Sequence, residues 1–139
     1  MPHLRDITDR AELASLVSQL GRWLDTGDDK EGRAIFHEDA IIHSARGGAT
    51  GIDDILDYSR RTSDDNENSQ HLITDVLVEL DGDRATMTAN ELVAYFPSRQ
   101  VFPPLLRLVG LRFAFQALRT QDGWRLTRVE VTPLWRQEA

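Results

Sequence analysis

Residues 71–96, HLITDVLVELDGDRATMTANELVAYF, read as two strands joined by a tight turn. β-Branched and aromatic residues are enriched on both sides of Asp81-Gly82-Asp83, and Asp-Gly between such runs is a hairpin signal. Two more strand-like runs follow, LRLVGLRFAFQALR (106–119) and WRLTRVEVTPLW (124–135), joined by Gln121-Asp122-Gly123. Between the two hairpins lies FPSRQVFPPLL (96–106), a longer, mobile connection whose prolines exclude it from a sheet interior. The C-terminal half is therefore four antiparallel strands.

Upstream of residue 71 the period changes. Asp9 with Glu12 three residues on forms a capping-box-like start, with Asp in place of Ser or Thr. Leu13, Leu16, Val17, Leu20 and Leu24 then form one apolar stripe. The spacing predicts a first helix over 9–26, stopped by Gly27. DDKEGRAIF (28–36) is a short second helix leading into EDAIIHS (38–44), a short strand. GIDDILDYSRRT (51–62) is a third helix, with acids in its first turn and arginines in its last. TSDDNENS (62–69) is a polar loop. Helices followed by antiparallel strands make an α+β fold, one domain over residues 1–139, with three helices against a curved sheet.

Composition excludes several functions. The net charge of −7, from 16 basic and 23 acidic residues, argues against nucleic-acid binding, which needs a basic surface. The absence of cysteine removes thiol nucleophiles and thiolate metal sites. His3, His37, His43 and His71 show no metal-ligand spacing, so no metal and no cofactor is expected. The most apolar stretch carries Pro103, Pro104, Arg107 and Arg112, which rules out a membrane span. The opening MPHLRDITDR has no apolar core of a signal peptide, so a cytoplasmic location is expected.

Two strands carry apolar residues on both faces. In 71–80, Leu72, Val76, Val78 and Leu80 alternate with His71, Ile73 and Leu77; in 106–118, Val109, Leu111, Phe113 and Phe115 alternate with Arg112, Ala114 and Gln116. A sheet covered on one face only shows cleaner alternation. Either bulges switch the register, or a second copy of the chain covers the outer face. A homodimer is the expectation.

The segments LGRWLDTGDDKEGRAIFHEDAIIHS, GIDDIL, SQHLITDVLVELDGDRATMTANELVAY and QDGWRL, in this order and spacing, resemble the SnoaL-like branch of the NTF2-like superfamily. The resemblance spans nearly the whole chain. It implies a cone-shaped α+β fold enclosing a pocket. The superfamily holds dehydratases, isomerases, an epoxide hydrolase, polyketide cyclases and noncatalytic binding proteins, so fold alone does not decide function.

In the dehydratase-like members an Asp ending the first helix meets a His opening a long strand, and Asp25 and His71 match those positions. Asp25 is also conspicuous by itself: an acid in the last turn opposes the helix macrodipole. Such a pair has a clear chemistry. An imidazole, with an ordinary pKa of about 6.5, exchanges protons near neutrality. A carboxylate beside it fixes the tautomer and stabilises the imidazolium. The pair can take a proton from a carbon next to a carbonyl and return it elsewhere, which covers dehydration, isomerisation and aldol-type cyclisation.

Other pocket candidates come from strand phase and the resemblance. Glu91, Val93 and Tyr95 share one face of their strand. Tyr95 falls where dehydratase members carry a second catalytic His; its phenol could donate a hydrogen bond to a carbonyl oxygen. Glu91, deeper on the same face, either meets an arginine such as Arg112 or turns outward, because a buried carboxylate needs a partner. Trp23 takes a position often held by a pocket-facing Tyr. Ser44 replaces a pocket Tyr or Asp. Arg112, if it faces inward, could bind a carboxylate or enolate.

The expected function is therefore a cofactor-independent lyase or isomerase, of dehydratase or cyclase type. Its substrate is a hydrophobic, oxygenated small molecule such as a polyketide or steroid-like intermediate. Asp25, His71 and Tyr95 are the catalytic candidates; Trp23, Ser44, Glu91, Val93 and Arg112 are the binding ones. The alternatives are a noncatalytic small-molecule-binding or scaffolding module, and a cyclase acting through pocket shape.

Overall fold

The computed structural model describes residues 4–139, which leaves His3 outside the described residues. Three helices, α1 (Leu4–Thr26), α2 (Asp29–Ile35) and α3 (Ile52–Thr62), pack against six strands: β1 (Phe36–Ser44), β2 (Gly47–Thr50), β3 (Glu67–Asp81), β4 (Arg84–Pro97), β5 (Arg107–Thr120) and β6 (Gly123–Glu138). The sheet order is β2-β1-β6-β5-β4-β3. All pairings are antiparallel except β1 with β6. This is the NTF2-like α+β fold. Among the described residues no helix is long and apolar enough to cross a membrane.

The stripe on α1 does what its spacing requires. Leu13, Leu16, Val17 and Leu20 are buried and meet Phe113, Phe115, Leu126 and Val129 in one core. Each such side chain contributes about 1.5–3 kcal/mol when fully buried. Gly27 ends the helix with φ 68° and donates its N–H to the Trp23 carbonyl at 2.7 Å, a left-handed stop that glycine adopts without strain.

The start of α1 differs from the sequence expectation. The helix begins at Leu4, and Asp9 lies within it rather than capping it. Its carboxylate instead accepts two hydrogen bonds from the Arg119 guanidinium, both at 2.6 Å, and one from Trp124 Nε1 at 3.1 Å. The pair with Arg119 holds the Asp9 pKa down at about 2. A contact between residues so far apart in sequence leaves no local signature, which is why a capping motif fits the sequence as well. The second and third helices and their turns lie within a residue or two of expectation.

Strand β2 was not expected. Its sequence, GGAT, has almost no side chains to show a period, yet it pairs with β1 through His43↔Gly48 and Ser44↔Gly47. Strand β3 carries a bulge between Thr74 and Leu77, where Asp75 takes φ 56°. The extra residue reverses the alternation. Ser69, His71, Ile73, Val76, Val78 and Leu80 all face inward, and much of the two-faced pattern in this strand follows from the bulge.

Candidate active site

The last turn of α1 lies across the opening of β3, and Asp25 meets that strand. The Asp25 carboxylate accepts from Ser69 Oγ at 3.0 Å, from the His71 backbone N–H at 3.2 Å and from His71 Nδ1 at 2.5 Å. Ser69 and His71 stand two apart on a strand, so both point to the same face. Three donors therefore offset the unfavourable end of the helix dipole. An ionised carboxylate only accepts, so the proton of a neutral His71 sits on Nδ1 and the Nε2 lone pair is left for chemistry. The His71 side chain is 10 % exposed and that of Asp25 23 %.

Both residues border a cavity of about 800 Å³. Leu20, Trp23, Leu24, Ile42, Val109, Leu111 and Phe113 give it apolar walls. This is the range of volumes that takes a drug-sized molecule. Polar groups stand on its wall as well, from separate elements: Asp25, His71, Glu91, Tyr95 and Arg107 among them.

Glu91 stands 3.7 Å from His71 Nε2, measured at Oε1, with its side chain shut off from solvent. Neither carboxyl oxygen has a hydrogen-bond partner. Burial, with the negative Asp25 nearby, pushes its pKa up to about 8, so Glu91 is a neutral acid at pH 7. The expected arginine partner is not there. Arg112 stands on the outer face of β5, exposed, and donates from Nε to Asn90 Oδ1 at 3.1 Å. It is removed from the binding set, because the β4–β5 register pairs it with Asn90 and leaves Leu111 opposite Glu91.

Tyr95 lines the cavity two positions beyond the residue that pairs with His71. Its ring lies beneath the Arg107 guanidinium, 4.1 Å from the centroid, while Arg107 grips Glu67 with two hydrogen bonds at 2.9 and 2.7 Å. Val93 faces His71 across the strand pair and is fully buried, but it is not part of the cavity wall. Trp23 is on the wall, set edge-on to Phe36 at 5.1 Å, with its Nε1 unpartnered. Gly32 of α2 makes that position possible: a Cβ there would stand 2.8 Å from Trp23 Nε1.

Ser44 is on the wall too, and its Oγ lies 2.5 Å from the hydroxyl of Tyr58 on α3. Tyr58, Ser69, Arg46 and Arg107 are among the polar wall residues that sequence reasoning missed. For Tyr58 a signal existed, since it follows Ile55 at the three-residue spacing of an inward helix face. Among the described residues no cluster of His, Asp and Glu could hold a metal ion. His43 faces outward and bonds Glu130 at 3.1 Å.

The arrangement is thus a carboxylate-held imidazole, a neutral carboxylic acid beside it and a chamber of mixed apolar and polar lining in front. The SnoaL-like domain family profile matches residues 5–130 of the chain. No curated protein sequence matches it. Solved structures similar to it include a protein of Kribbella flavida (25% identity, TM-score 0.81, 94% of this chain and 93% of that one). Another is the hexachlorocyclohexane dehydrochlorinase LinA-type3 of Novosphingobium barchaimii (15% identity, TM-score 0.82, 96% and 91%). A third is a candidate scytalone dehydratase of Novosphingobium aromaticivorans (14% identity, TM-score 0.80, 96% and 89%).

Proposed function

This chain belongs to the SnoaL-like domain family, and from that premise we propose that it is a cofactor-independent lyase. Asp25 and His71 remove a proton from the carbon next to a carbonyl of a hydrophobic, oxygenated small molecule, and a group on the adjacent carbon leaves. The observation that carries this reading is the 2.5 Å contact between Asp25 and His71 Nδ1, which leaves Nε2 as the base beside the cavity. Two neighbours with the same fold are named for eliminations, a dehydrochlorinase and a dehydratase. They support the reaction class and leave the substrate to be found. Isomerisation and cyclisation would share the same first proton transfer.

The test is turnover of an aryl β-hydroxy ketone, the aldol adduct of benzaldehyde and acetone, whose dehydration gives a conjugated enone. His71→Ala removes the base. Asp25→Asn keeps the shape and removes the charge that stabilises the imidazolium. Each change is expected to lower turnover about 10²–10⁴-fold. The double variant should lose little more, because the two residues act as one unit. Full activity in His71→Ala would end the proposal. A protein that binds the ketone without turning it over would be a binding module instead.

We also propose that the protein acts as a homodimer. Leu72, Leu92 and Trp135 are 45, 37 and 50 % exposed. The registers Leu72↔Leu92, Leu92↔Gly110 and Gly110↔Trp135 put them in one row across four strands of the outer face. Sedimentation at micromolar concentration should give twice the monomer mass, and Leu92→Lys should return the monomer.

A further inference from the structure

Glu91 is a buried acid on the cavity wall that the Asp25–His71 pair leaves without a task. Among the described residues, Glu91 and Asp9 are the acidic residues that are almost wholly buried. Asp9 has Arg119; Glu91 has no partner for either oxygen. The titratable groups facing Glu91 are Asp25 from α1 and His71 from β3, while β5 presents Leu111 opposite it. No cation from these elements holds it as a carboxylate, so it keeps its proton. The 3.7 Å between Oε1 and His71 Nε2 is too long for a hydrogen bond between them. It is short enough that a C–H and the oxygen on the adjacent carbon of one bound molecule could meet Nε2 and the carboxyl together.

We propose that Glu91 is the catalytic acid of this site, giving its carboxylic proton to the oxygen that leaves while His71 Nε2 takes the proton from the neighbouring carbon. The proposal rests on the elimination reading above and adds the group that makes hydroxide a viable leaving group. The electrons of the broken C–H bond form the C=C double bond. The C–O bond breaks, and its oxygen takes the Glu91 proton and departs as water. Imidazolium and carboxylate are left side by side, and the imidazolium returns its proton to Glu91. The sum is substrate to enone plus water, with both side chains restored. The carboxyl is sealed from solvent, and its terminal torsion is a soft two-fold rotor; turning about it presents one oxygen to the cavity side of Nε2.

The role predicts a preference for leaving group. A hydroxyl needs a proton to depart and a chloride does not, so Glu91 fits the site to β-hydroxy carbonyl compounds rather than to halides. The test compares the benzaldehyde–acetone aldol adduct with its β-chloro analogue, each corrected for spontaneous elimination. Glu91→Gln keeps the shape and removes the transferable proton. The ratio of hydroxyl to chloride turnover should fall about a hundredfold or more. Glu91→Asp, which keeps the proton, should restore most of that ratio. Independently of activity, infrared difference spectra of wild type against Glu91→Gln should show a protonated carboxyl stretch at pH 7. An unchanged ratio in Glu91→Gln, equal ratios in Gln and Asp variants, or an ionised carboxyl at pH 7 would each overturn the role while the Asp25–His71 reading stood. A wild type that eliminates neither compound, or a His71→Ala variant as active as wild type, would remove the elimination reading and this role with it.

Discussion

The two buried acids of this protein, at opposite ends of the first helix's reach, have opposite fates. Asp9 is met by a two-pronged guanidinium and an indole N–H, and its pKa is held at about 2. Glu91 is met by nothing, and burial pushes its pKa up to about 8. Both residues are only 4 % exposed, so exposure alone does not separate a structural carboxyl from a reactive one. Partners do. An acid that is fully bonded joins elements together; one left unsatisfied costs stability and stays available for chemistry.

The largest expected effect tests the satisfied acid. Arg119→Ala strips Asp9 of its cation and leaves a buried charge. It should cost about 3–5 kcal/mol in urea unfolding. A loss below 1 kcal/mol would mean that the clamp is dispensable.

Next in size is the unsatisfied acid. A carboxyl with a raised folded pKa has its stability fully present below the ordinary value of 4.5 and loses it as pH rises toward about 8. Wild type should therefore lose stability against Glu91→Gln at about 1.4 kcal/mol per pH unit, or about 2–3 kcal/mol between pH 5 and 7. Parallel stability curves for the two proteins over that range would contradict an acid held neutral.

The smallest effect runs the other way. A carboxyl with a depressed folded pKa contributes stability above its ordinary value of 3.8, lost as pH falls toward about 2. Wild type should lose about 2 kcal/mol more than Asp9→Asn across that window. Together the two pH series would show one molecule whose buried acids pull stability in opposite directions with pH.

The sequence made the architecture legible because periodicity is local. The leucine stripe of α1, the Asp-Gly turns and the alternation in β4 and β5 need no knowledge of distant residues. So did the meeting of Asp25 with His71, although that rested on matched positions in a resemblance and not on spacing. What failed to show was what depends on register. Whether Arg112 faces in or out turns on a single residue of pairing, and so does the choice of Leu111 rather than an arginine opposite Glu91. Asp9 looked like a cap because its true partner is brought to it only by the closed sheet. Strand β2 was hidden by its two glycines, which carry no pattern to read.

The clamp at Asp9 and the acid at Asp25 share one rigid rod. Sixteen positions separate them, about 24 Å of helix at 1.5 Å per residue. Close packing fixes the rod laterally as well, since a Cβ on Gly21 would come within 3.1 Å of Ile73. With one end pinned by Arg119, the direction in which Asp25 points becomes a matter of phase. A single residue inserted or deleted between them would swing it about 100° round the helix axis, off Ser69 and His71 altogether, while every apolar residue beyond the change left its stripe. Substitutions within that segment leave the phase intact; a change in its length does not, because the count from the clamp to the acid sets where Asp25 points.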